Sequence, residues 1–191
     1  MGDALKRENY RYTYADYLSW SDDEKWELIE GMPYKMVAPA QIHQDILLAL
    51  SVEFYNYLKG KPCSVHIAPF DVILTKEEVE NNATNVVQPD IFIVCDKNKL
   101  NGKVCIGSSD LCIEIVSPTS TSRDYVEKLN LYWKHEIKEY WIIDPIDKSV
   151  MVYILDCNNN YEKPKMYTKN DEVRVKIFEN FKIDLKDIFV D

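Results

Sequence analysis

Three short apolar runs dominate the middle of the chain, and polar segments separate them. They occupy residues 88–94, 110–116 and 139–144 and are rich in Ile, Val, Phe, Cys and Trp. Nearly unbroken apolar runs of this length are typical of strands that are covered on both faces of a sheet. The third run is bulky on both faces between its ends, so we expect it to be a central strand.

Two other segments show the spacing of amphipathic helices. The first helix is predicted over residues 40–58, where apolar side chains recur at helical intervals: Ile42, Ile46, Ala49, Leu50, Phe54 and Tyr57. The second is predicted over residues 123–134, with these side chains on its buried face: Val126, Leu129, Tyr132 and Trp133. Hydroxyl residues before it suit an N-cap, and Thr121 with Asp124 resembles a capping box.

Shorter elements are predicted around this centre. Residues 10–17 form a tyrosine-rich arm or short helix, residues 21–24 cap a turn, and residues 26–32 form a strand that ends at a Glu-Gly turn. One or two strands, kinked near Pro69, are expected over residues 64–74, and a loop over residues 75–85. Later strands are expected at residues 150–155, near Met166 and at residues 173–177. No repeat or linker divides these elements, so we expect one domain over residues 1–191.

Composition and charge narrow the classes of function. The 191 residues are 46% hydrophobic and 12% aromatic, which suffices for one well-packed domain. The formal net charge of −9 argues against a protein that coats nucleic acid nonspecifically, since such binding depends on Lys and Arg. A nuclease is not excluded, because carboxylates that bind divalent cations need only a local basic rim.

The absence of targeting signals from the sequence predicts a cytoplasmic protein. The N-terminal residues lack the apolar core of a signal peptide, and no stretch approaches the ~18 apolar residues of a spanning helix. We therefore expect no membrane partner. The five cysteines are odd in number and include no C-x-x-C pair, so neither structural zinc nor a disulfide framework is expected.

Asp90 and Glu114 are carboxylate residues within runs that should be buried. A buried ionised carboxylate is costly unless a metal or another charge compensates it. If the two strands are neighbours, both carboxylates can point to one Mg²⁺ ion, which commonly binds one or two carboxylates together with water and phosphate oxygens. Such a metal lowers the pKa of bound water and neutralises phosphate charge. Lys128, in the following helix, is the candidate for stabilising the transition state.

The same residues belong to a longer, ordered set of motifs. The set comprises Gln88-Pro89-Asp90-Ile91, the Glu-Ile-Val-Ser-Pro run within 112–120, Arg123-Asp124, Glu127-Lys128, Tyr132 and the Glu-Tyr-Trp-Ile-Ile-Asp-Pro run at 139–145. It closely resembles the Uma2 family, a former domain of unknown function linked to restriction endonucleases. The similarity extends to upstream motifs: Glu27-Leu28-Ile29-Glu30-Gly31, His43 and Phe70-Asp71-Val72.

This resemblance implies membership of the PD-(D/E)XK nuclease superfamily and a restriction-endonuclease-like α/β fold, with a central mixed β-sheet flanked by helices. It implies that Asp90 and Glu114 bind Mg²⁺ or Mn²⁺, with Asp71 as a further ligand. One residue departs from the superfamily pattern, because Val116 stands where the catalytic Lys is expected. The resemblance is to variants in which this Lys has moved to the following helix, which corresponds to Lys128.

Each candidate also has a purely structural interpretation. Asp90 could cap a turn, since Pro-Asp pairs are common at strand starts. Lys128 could be a solvated helix residue paired with Asp124, and His43 could be a helix-terminal hydrogen-bonding residue. Glu114 is harder to explain in this way, because a charged residue inside a buried strand is uncommon. Four aromatic residues are more typical of a core than of a base-stacking platform: Tyr132, Trp133, Tyr140 and Trp141.

The leading hypothesis is metal-dependent hydrolysis of nucleic-acid phosphodiester bonds, with DNA as the favoured substrate. Asp90 and Glu114 would activate water, Lys128 would assist, and either Glu27 or Glu30 would orient water or metal. The alternative is a noncatalytic nucleic-acid-associated or protein-interaction module that keeps the nuclease fold. The acidic composition favours this alternative, or an enzyme that acts with a partner or as a homodimer. The choice between DNA and RNA, the target sequence, the biological role and the oligomeric state stay open.

Overall fold

The computed structural model describes residues 10–20, 24–75, 80–118 and 120–190. The predicted cap at residues 21–23 lies outside these ranges. The described helices are α1 (Tyr14–Tyr17), α2 (Gln41–Leu58) and α3 (Leu129–Lys134), and a π-helix (Arg123–Lys128) directly precedes α3. The described strands are β1 (Trp26–Ile29), β2 (Met32–Lys35), β3 (Ser64–Ile67), β4 (Val72–Ile73), β5 (Val86–Val87), β6 (Ile91–Val94), β7 (Cys105–Ile106), β8 (Leu111–Ile115), β9 (Glu139–Asp144), β10 (Ser149–Ile154), β11 (Lys165–Thr168), β12 (Glu172–Arg174) and β13 (Lys182–Asp184).

The larger sheet has six strands in the order β11-β10-β9-β8-β6-β3. Strands β8 and β9 are parallel, whereas their other neighbours in this sheet pair antiparallel. A parallel pair needs a crossover connection, and the π-helix together with α3 supplies it. The predicted mixed sheet is therefore confirmed, with β9 as a central strand.

A second sheet has five strands in the order β2-β1-β5-β4-β7. Strand β1 ends at the predicted Glu-Gly turn, whose residues Glu30 and Gly31 have φ angles of 50° and 75°, and it pairs in a hairpin with β2, a strand that was not predicted. A side chain at Gly31 is excluded by more than backbone conformation, because its Cβ would lie 2.8 Å from the Cβ of Arg11. The predicted kink near Pro69 is also confirmed, since β3 and β4 end up in different sheets.

The expectation of one continuous strand over residues 88–94 is wrong. Val86 and Val87 belong to the five-stranded sheet, and the strand that starts at Ile91 belongs to the six-stranded sheet. Residues 88–90 connect the two sheets. Pro89 cannot donate a backbone hydrogen bond to a sheet ladder, which favours a break at this point. Asp90 consequently lies at the crossing between the sheets and not inside a strand.

Alternation along the central strands separates two apolar layers. On one face, Ile113 and Ile115 of β8 pack with Trp141 of β9 and with Leu50 and Phe54 of α2. On the opposite face, a second layer is covered by the crossover segment and contains Phe92, Cys112, Leu131, Tyr132, Tyr140 and Ile142. Tyr132, Tyr140 and Trp141 are fully buried, as predicted for core residues, whereas Trp133 is 43% exposed.

The predicted buried face of the second helix is wrong in part. Val126 is 54% exposed and Trp133 is exposed as well, whereas Asp124 and Lys128 are buried. The cause is the π-helix, whose wider turn breaks the 3.6-residue spacing on which the prediction relied. The two charged residues therefore point inward where apolar side chains were expected.

The expectation about cysteines also needs a correction. Cys63 and Cys95 form a disulfide, and they flank the antiparallel register pair of Ser64 with Val94. Cross-strand neighbours of this kind are separated in sequence, so their pairing was not visible in residue spacing. Cys105 and Cys112 are free and buried. None of the described helices has the length and apolar character needed to cross a membrane.

Candidate active site

Glu114 lies at the centre of a buried cluster of charged side chains. It occupies β8 one position after Ile113, so its side chain points away from α2 and toward the crossover segment. The residue is only 4% exposed. Its Oε1 atom accepts hydrogen bonds from Lys128 Nζ at 2.9 Å and from the Tyr132 hydroxyl at 2.6 Å. The crossover segment thus folds back over the strand that carries the carboxylate.

Lys128 is the last residue of the π-helix and contacts three carboxylates. Its Nζ atom lies 2.9 Å from Glu114 Oε1, 2.9 Å from Glu27 Oε1 and 3.9 Å from Asp124 Oδ1. The predicted pair with Asp124 is present, but Lys128 is 3% exposed and is not a solvated helix residue. Single π turns occur frequently at functional sites, and this one turns Asp124 and Lys128 into the cluster together.

Asp90 is positioned beside Glu114 by the backbone of β8. Its Oδ2 atom accepts a hydrogen bond from the Ile115 backbone N–H at 2.7 Å. The same atom lies 3.1 Å from Nε2 of His43, near the start of α2. The Asp90 and His43 side chains are 15% and 11% exposed, so they form a shallower edge of the cluster than Glu114 does. The structure therefore brings Asp90, Glu114 and Lys128 into one site.

Glu27, and not Glu30, belongs to this site. Glu27 is 1% exposed, and its Oε1 atom also accepts the Gln88 backbone N–H at 2.9 Å. Glu30 lies on the hairpin turn and forms a salt bridge with Lys134, with both side chains more than half exposed. That salt bridge holds the pKa of Glu30 below its usual value. The structure thereby separates two glutamates between which the sequence could not choose.

The electrostatics of the cluster are dominated by burial and by excess negative charge. Burial raises the pKa of Glu114 well above its ordinary value, and Asp124, Asp90 and Glu27 raise it further, whereas Lys128 lowers it. Burial also raises the pKa of Asp124. For Lys128, burial lowers the pKa, but the surrounding carboxylates outweigh that effect, and the net shift is upward. The lysine is therefore protonated at neutral pH.

The donor chemistry of the cluster fits a hard divalent cation. Its acidic groups offer oxygen atoms, which Mg²⁺ and Mn²⁺ prefer; burial raises the pKa of the Glu114 and Asp124 carboxyl groups, and a cation beside them would favour their ionised form. Across the described ranges, no group of three or more His, Cys, Asp or Glu side chains is arranged as a metal site. A site built on Asp90 and Glu114 would need substrate and water oxygens to complete it. Metal binding by these residues stays a prediction.

Asp71 lies in a hydrogen-bonded group beside the charged cluster, and metal binding by this residue stays a prediction. Its Oδ1 atom accepts hydrogen bonds from the Tyr17 hydroxyl at 3.0 Å and from Gln88 Nε2 at 2.7 Å. Burial raises the pKa of the Asp71 carboxyl, and these two hydrogen bonds lower it. Gln88 joins this group to the charged cluster, because its backbone N–H binds Glu27.

Two residues of the site were not anticipated in these roles. Tyr132 was expected only as a core residue, yet its hydroxyl binds Glu114. Arg123 stacks over the Tyr34 ring at 4.8 Å, and its Nη1 atom lies 3.7 Å from Glu27 Oε2. Both lie within the motif that runs from residue 123 to residue 132, so the motif indicated them even though helical periodicity did not.

The comparison with known proteins shows to which family this chain belongs. Residues 14–186 match the family model of Uma2, which carries the description "Putative restriction endonuclease". The chain belongs to the Uma2 family. A Uma2 assignment was the expectation from the motifs, and it is confirmed. The chain is also 25% identical over 141 residues to "Uncharacterized protein slr1290" from Synechocystis, covering 72% of this chain and 71% of the relative.

A solved structure confirms the Uma2 fold. The chain superposes on the crystal structure of a "putative nuclease belonging to DUF820" from Anabaena variabilis with a TM-score of 0.74 and 19% sequence identity. The match covers 93% of this chain and 97% of the other. At this identity the likeness is one of fold, and it confirms the predicted restriction-endonuclease-like α/β arrangement.

Proposed function

We propose that this protein is a metal-dependent nuclease that hydrolyses phosphodiester bonds, with DNA as the favoured substrate. The main support for the proposal is that Asp90, Glu114 and Lys128 lie together in one buried cluster. The nuclease description of the Uma2 family supports it, as does the likeness to a nuclease-like structure. Membership of the PD-(D/E)XK superfamily is part of the same proposal.

Asp90 and Glu114 would hold Mg²⁺ or Mn²⁺. When bound, such an ion lowers the pKa of water and neutralises charge on a phosphate group. The protein keeps both carboxylates in place without the ion, because the Ile115 N–H binds Asp90 and the Tyr132 hydroxyl binds Glu114. Both His43 Nε2 and the Ile115 N–H contact the Oδ2 atom of Asp90. These two contacts restrict rotation of the Asp90 carboxylate.

The cationic side chains have separate tasks in this proposal. Lys128 is held protonated by Glu114 and Glu27, so its ammonium group can stabilise negative charge that develops on the phosphate. Arg123 is 19% exposed and stacks on Tyr34, which places its guanidinium at the rim of the cluster. A guanidinium in this position can orient a phosphate group through paired hydrogen bonds.

One observation favours the noncatalytic alternative. Lys128 is almost fully buried and already has three carboxylate partners, an arrangement that a structural ion-pair network would also produce. In that case the fold would serve as a nucleic-acid-associated or protein-interaction module. The excess of carboxylates over cations supports the nuclease, because a metal site makes use of that excess.

The test compares metal binding and cleavage on the same samples. Calorimetric titration with Mg²⁺ and Mn²⁺ is combined with cleavage of plasmid and single-stranded DNA, for the parent, Asp90→Asn and Glu114→Gln. Asp147→Asn and Glu162→Gln are matched controls, since both positions are exposed. Metal-dependent cleavage that is lost in the first two variants and retained in the controls would support the nuclease. Absence of metal binding and cleavage, even with DNA present, would favour the noncatalytic module.

A further inference from the structure

A second polar cavity lies next to the charged cluster, and the proposed catalytic residues Asp90, Glu114 and Lys128 do not line it. It is a cleft of about 290 Å³ between the end of α1, the start of β1 and the connection from β3 to β4. We call it the aromatic cleft, because four aromatic side chains line it: Tyr17, Trp20, Trp26 and Phe70. All four are partly exposed.

Three of these four rings, those of Tyr17, Trp20 and Trp26, form a continuous aromatic surface. Trp20 contacts Tyr17 with a centroid distance of 5.5 Å and Trp26 with a distance of 5.8 Å. Partly exposed rings beside a cavity offer flat surfaces on which a planar ligand can stack. Nucleobases are such ligands, and proteins that bind single strands use aromatic side chains for this purpose.

The charges of the cleft suit a phosphate-bearing ligand. Lys25 and Lys103 both line it, and the carboxylate of Glu24 is engaged by Lys35. Among the lining residues that the structure describes, Asp71 is the remaining acidic group. The chain has a net charge of −9, so a concave surface with two lysines is less acidic than the protein as a whole.

The floor of the cleft offers a hydrogen-bond acceptor. Among the described residues, both hydrogen bonds to the Asp71 side chain end on Oδ1, from Tyr17 and from Gln88. Its Oδ2 atom can therefore accept from a ligand. Adenine, cytosine and guanine carry an exocyclic amino group that donates hydrogen bonds, whereas thymine carries none.

The cleft and the charged cluster share their structural supports. Trp26 and Glu27 are consecutive residues of β1, so their side chains lie on opposite faces of the strand, one toward the cleft and one toward Lys128. Gln88 binds Asp71 with its side chain and Glu27 with its backbone N–H. The cleft and the proposed hydrolytic site therefore lie on opposite faces of β1 and are linked through Gln88.

We infer that the aromatic cleft binds an unpaired nucleobase of the substrate strand, with Asp71 accepting from its amino group and with Lys25 and Lys103 contacting the flanking phosphates. This inference rests on the proposed nuclease function and specifies its substrate as single-stranded or locally unpaired nucleic acid. Stacking in the cleft anchors the substrate strand at β1, the strand that also carries Glu27 of the charged cluster.

Binding is tested without metal, so that it is independent of cleavage. Fluorescence anisotropy of labelled homopolymeric oligonucleotides in EDTA is combined with quenching of tryptophan fluorescence. The parent is expected to bind oligo-deoxycytidine more tightly than oligo-thymidine, and both more tightly than a duplex of equal length. Asp71→Asn is expected to remove the preference for deoxycytidine, because it replaces an acceptor-only group with an amide.

Two further variants separate stacking from charge. Trp26→Leu removes a stacking surface and is expected to weaken binding roughly tenfold, with Trp26→Phe restoring part of it. The double variant Lys25→Ala/Lys103→Ala is expected to lower the slope of log affinity against log salt concentration by the amount that corresponds to about two phosphate contacts. Its matched control is Lys163→Ala/Lys165→Ala, which removes the same charge from exposed positions near β11. The lysine variants alter only exposed side chains, so they test the cleft even if Trp26→Leu fails to fold.

The outcomes distinguish this inference from the proposed function. The proposal for the cleft would be overturned if the two double-lysine variants weakened oligonucleotide binding equally. It would also be overturned if Asp71→Asn left the base preference unchanged. If the cleft variants lose binding but the parent cleaves nothing with Mg²⁺, the cleft stands and the nuclease proposal fails. If the parent cleaves duplex DNA and the cleft variants bind and cleave like the parent, the nuclease stands and the cleft proposal fails.

Discussion

The two faces of β8 differ sharply although they belong to the same five residues. The side chains of Ile113 and Ile115 belong to an apolar layer that includes Trp141 and Phe54. Glu114, which lies between them, faces a layer in which ionised groups are buried as deeply as the apolar side chains. Burial on the first face stabilises the fold through the hydrophobic effect. Burial on the second face costs desolvation, and buried ion pairs are weak evidence of stability.

The largest effect is expected from breaking the buried charge cluster. Lys128→Met leaves Glu114 and Glu27 buried without their cation, and removing one partner of a buried pair typically costs about 3–5 kcal/mol. Chemical denaturation measures the change in the free energy of unfolding. Lys134→Ala is the control on the same helix, since Lys134 is 57% exposed and its pair with Glu30 should contribute about 1 kcal/mol or less. Similar losses in both variants would contradict the assignment of Lys128 to a buried cluster.

A substitution on the apolar face should lower the free energy of unfolding without changing the cleavage activity of the folded protein. Ile113→Ala removes a fully buried side chain and is expected to lower the free energy of unfolding by about 2–5 kcal/mol. Cleavage per folded molecule should stay close to that of the parent, because Ile113 points away from the cluster. A loss of cleavage that exceeds the loss of folded protein would mean that the two faces are coupled.

A matched pair of tyrosines sharpens the comparison within the polar face. The Tyr132 hydroxyl donates to the Glu114 side chain at 2.6 Å, and the Tyr140 hydroxyl donates to the Asp124 backbone carbonyl at 2.9 Å. Tyr132→Phe is expected to cost about 1.5–3 kcal/mol, as for bonds to charged groups, and Tyr140→Phe about 0.5–1.5 kcal/mol. Thermal and chemical unfolding of both variants give the difference. Metal affinity should fall mainly in Tyr132→Phe, since only that hydroxyl orients a proposed ligand.

The smallest effect is a dependence on pH that separates metal binding from stability. Because the pKa of Glu114 is raised, the group gains a proton at higher pH than an ordinary carboxyl does. Metal must displace that proton, so metal affinity should fall by up to about tenfold per pH unit below the raised pKa. Without metal, the folded state binds this proton more tightly than the unfolded state, so Glu114 contributes stability that is lost as pH rises through its folded pKa.

Calorimetry at several pH values measures the affinity, and denaturation of metal-free protein measures the stability. Glu114→Gln is the reference for both, because it removes the titrating group. Parent and variant profiles that are parallel in both measurements would show that Glu114 does not titrate in the proposed way.

Regular elements could be predicted from local sequence. The α2 helix, strand β1 with its Glu-Gly turn, and strands β8, β9 and β10 occur where periodicity and turn residues indicated them. These features depend on side-chain alternation and helical spacing, which are properties of neighbouring residues. The π turn was not predicted, since inward-facing Asp124 and Lys128 conflict with apolar periodicity and make sense only with Glu114 opposite them.

The sequence by itself determined the family, the identity of the central strands and the three candidate residues Asp90, Glu114 and Lys128. Motif order carries that information, because the residues of a motif are adjacent or nearly adjacent in the chain. Only the tertiary structure decided that Glu27 and not Glu30 joins the cluster, that Asp71 turns to Tyr17 and Gln88, and that Cys63 meets Cys95. Each of these contacts joins residues of different elements. Their distances follow from strand register and sheet order, which no local pattern encodes.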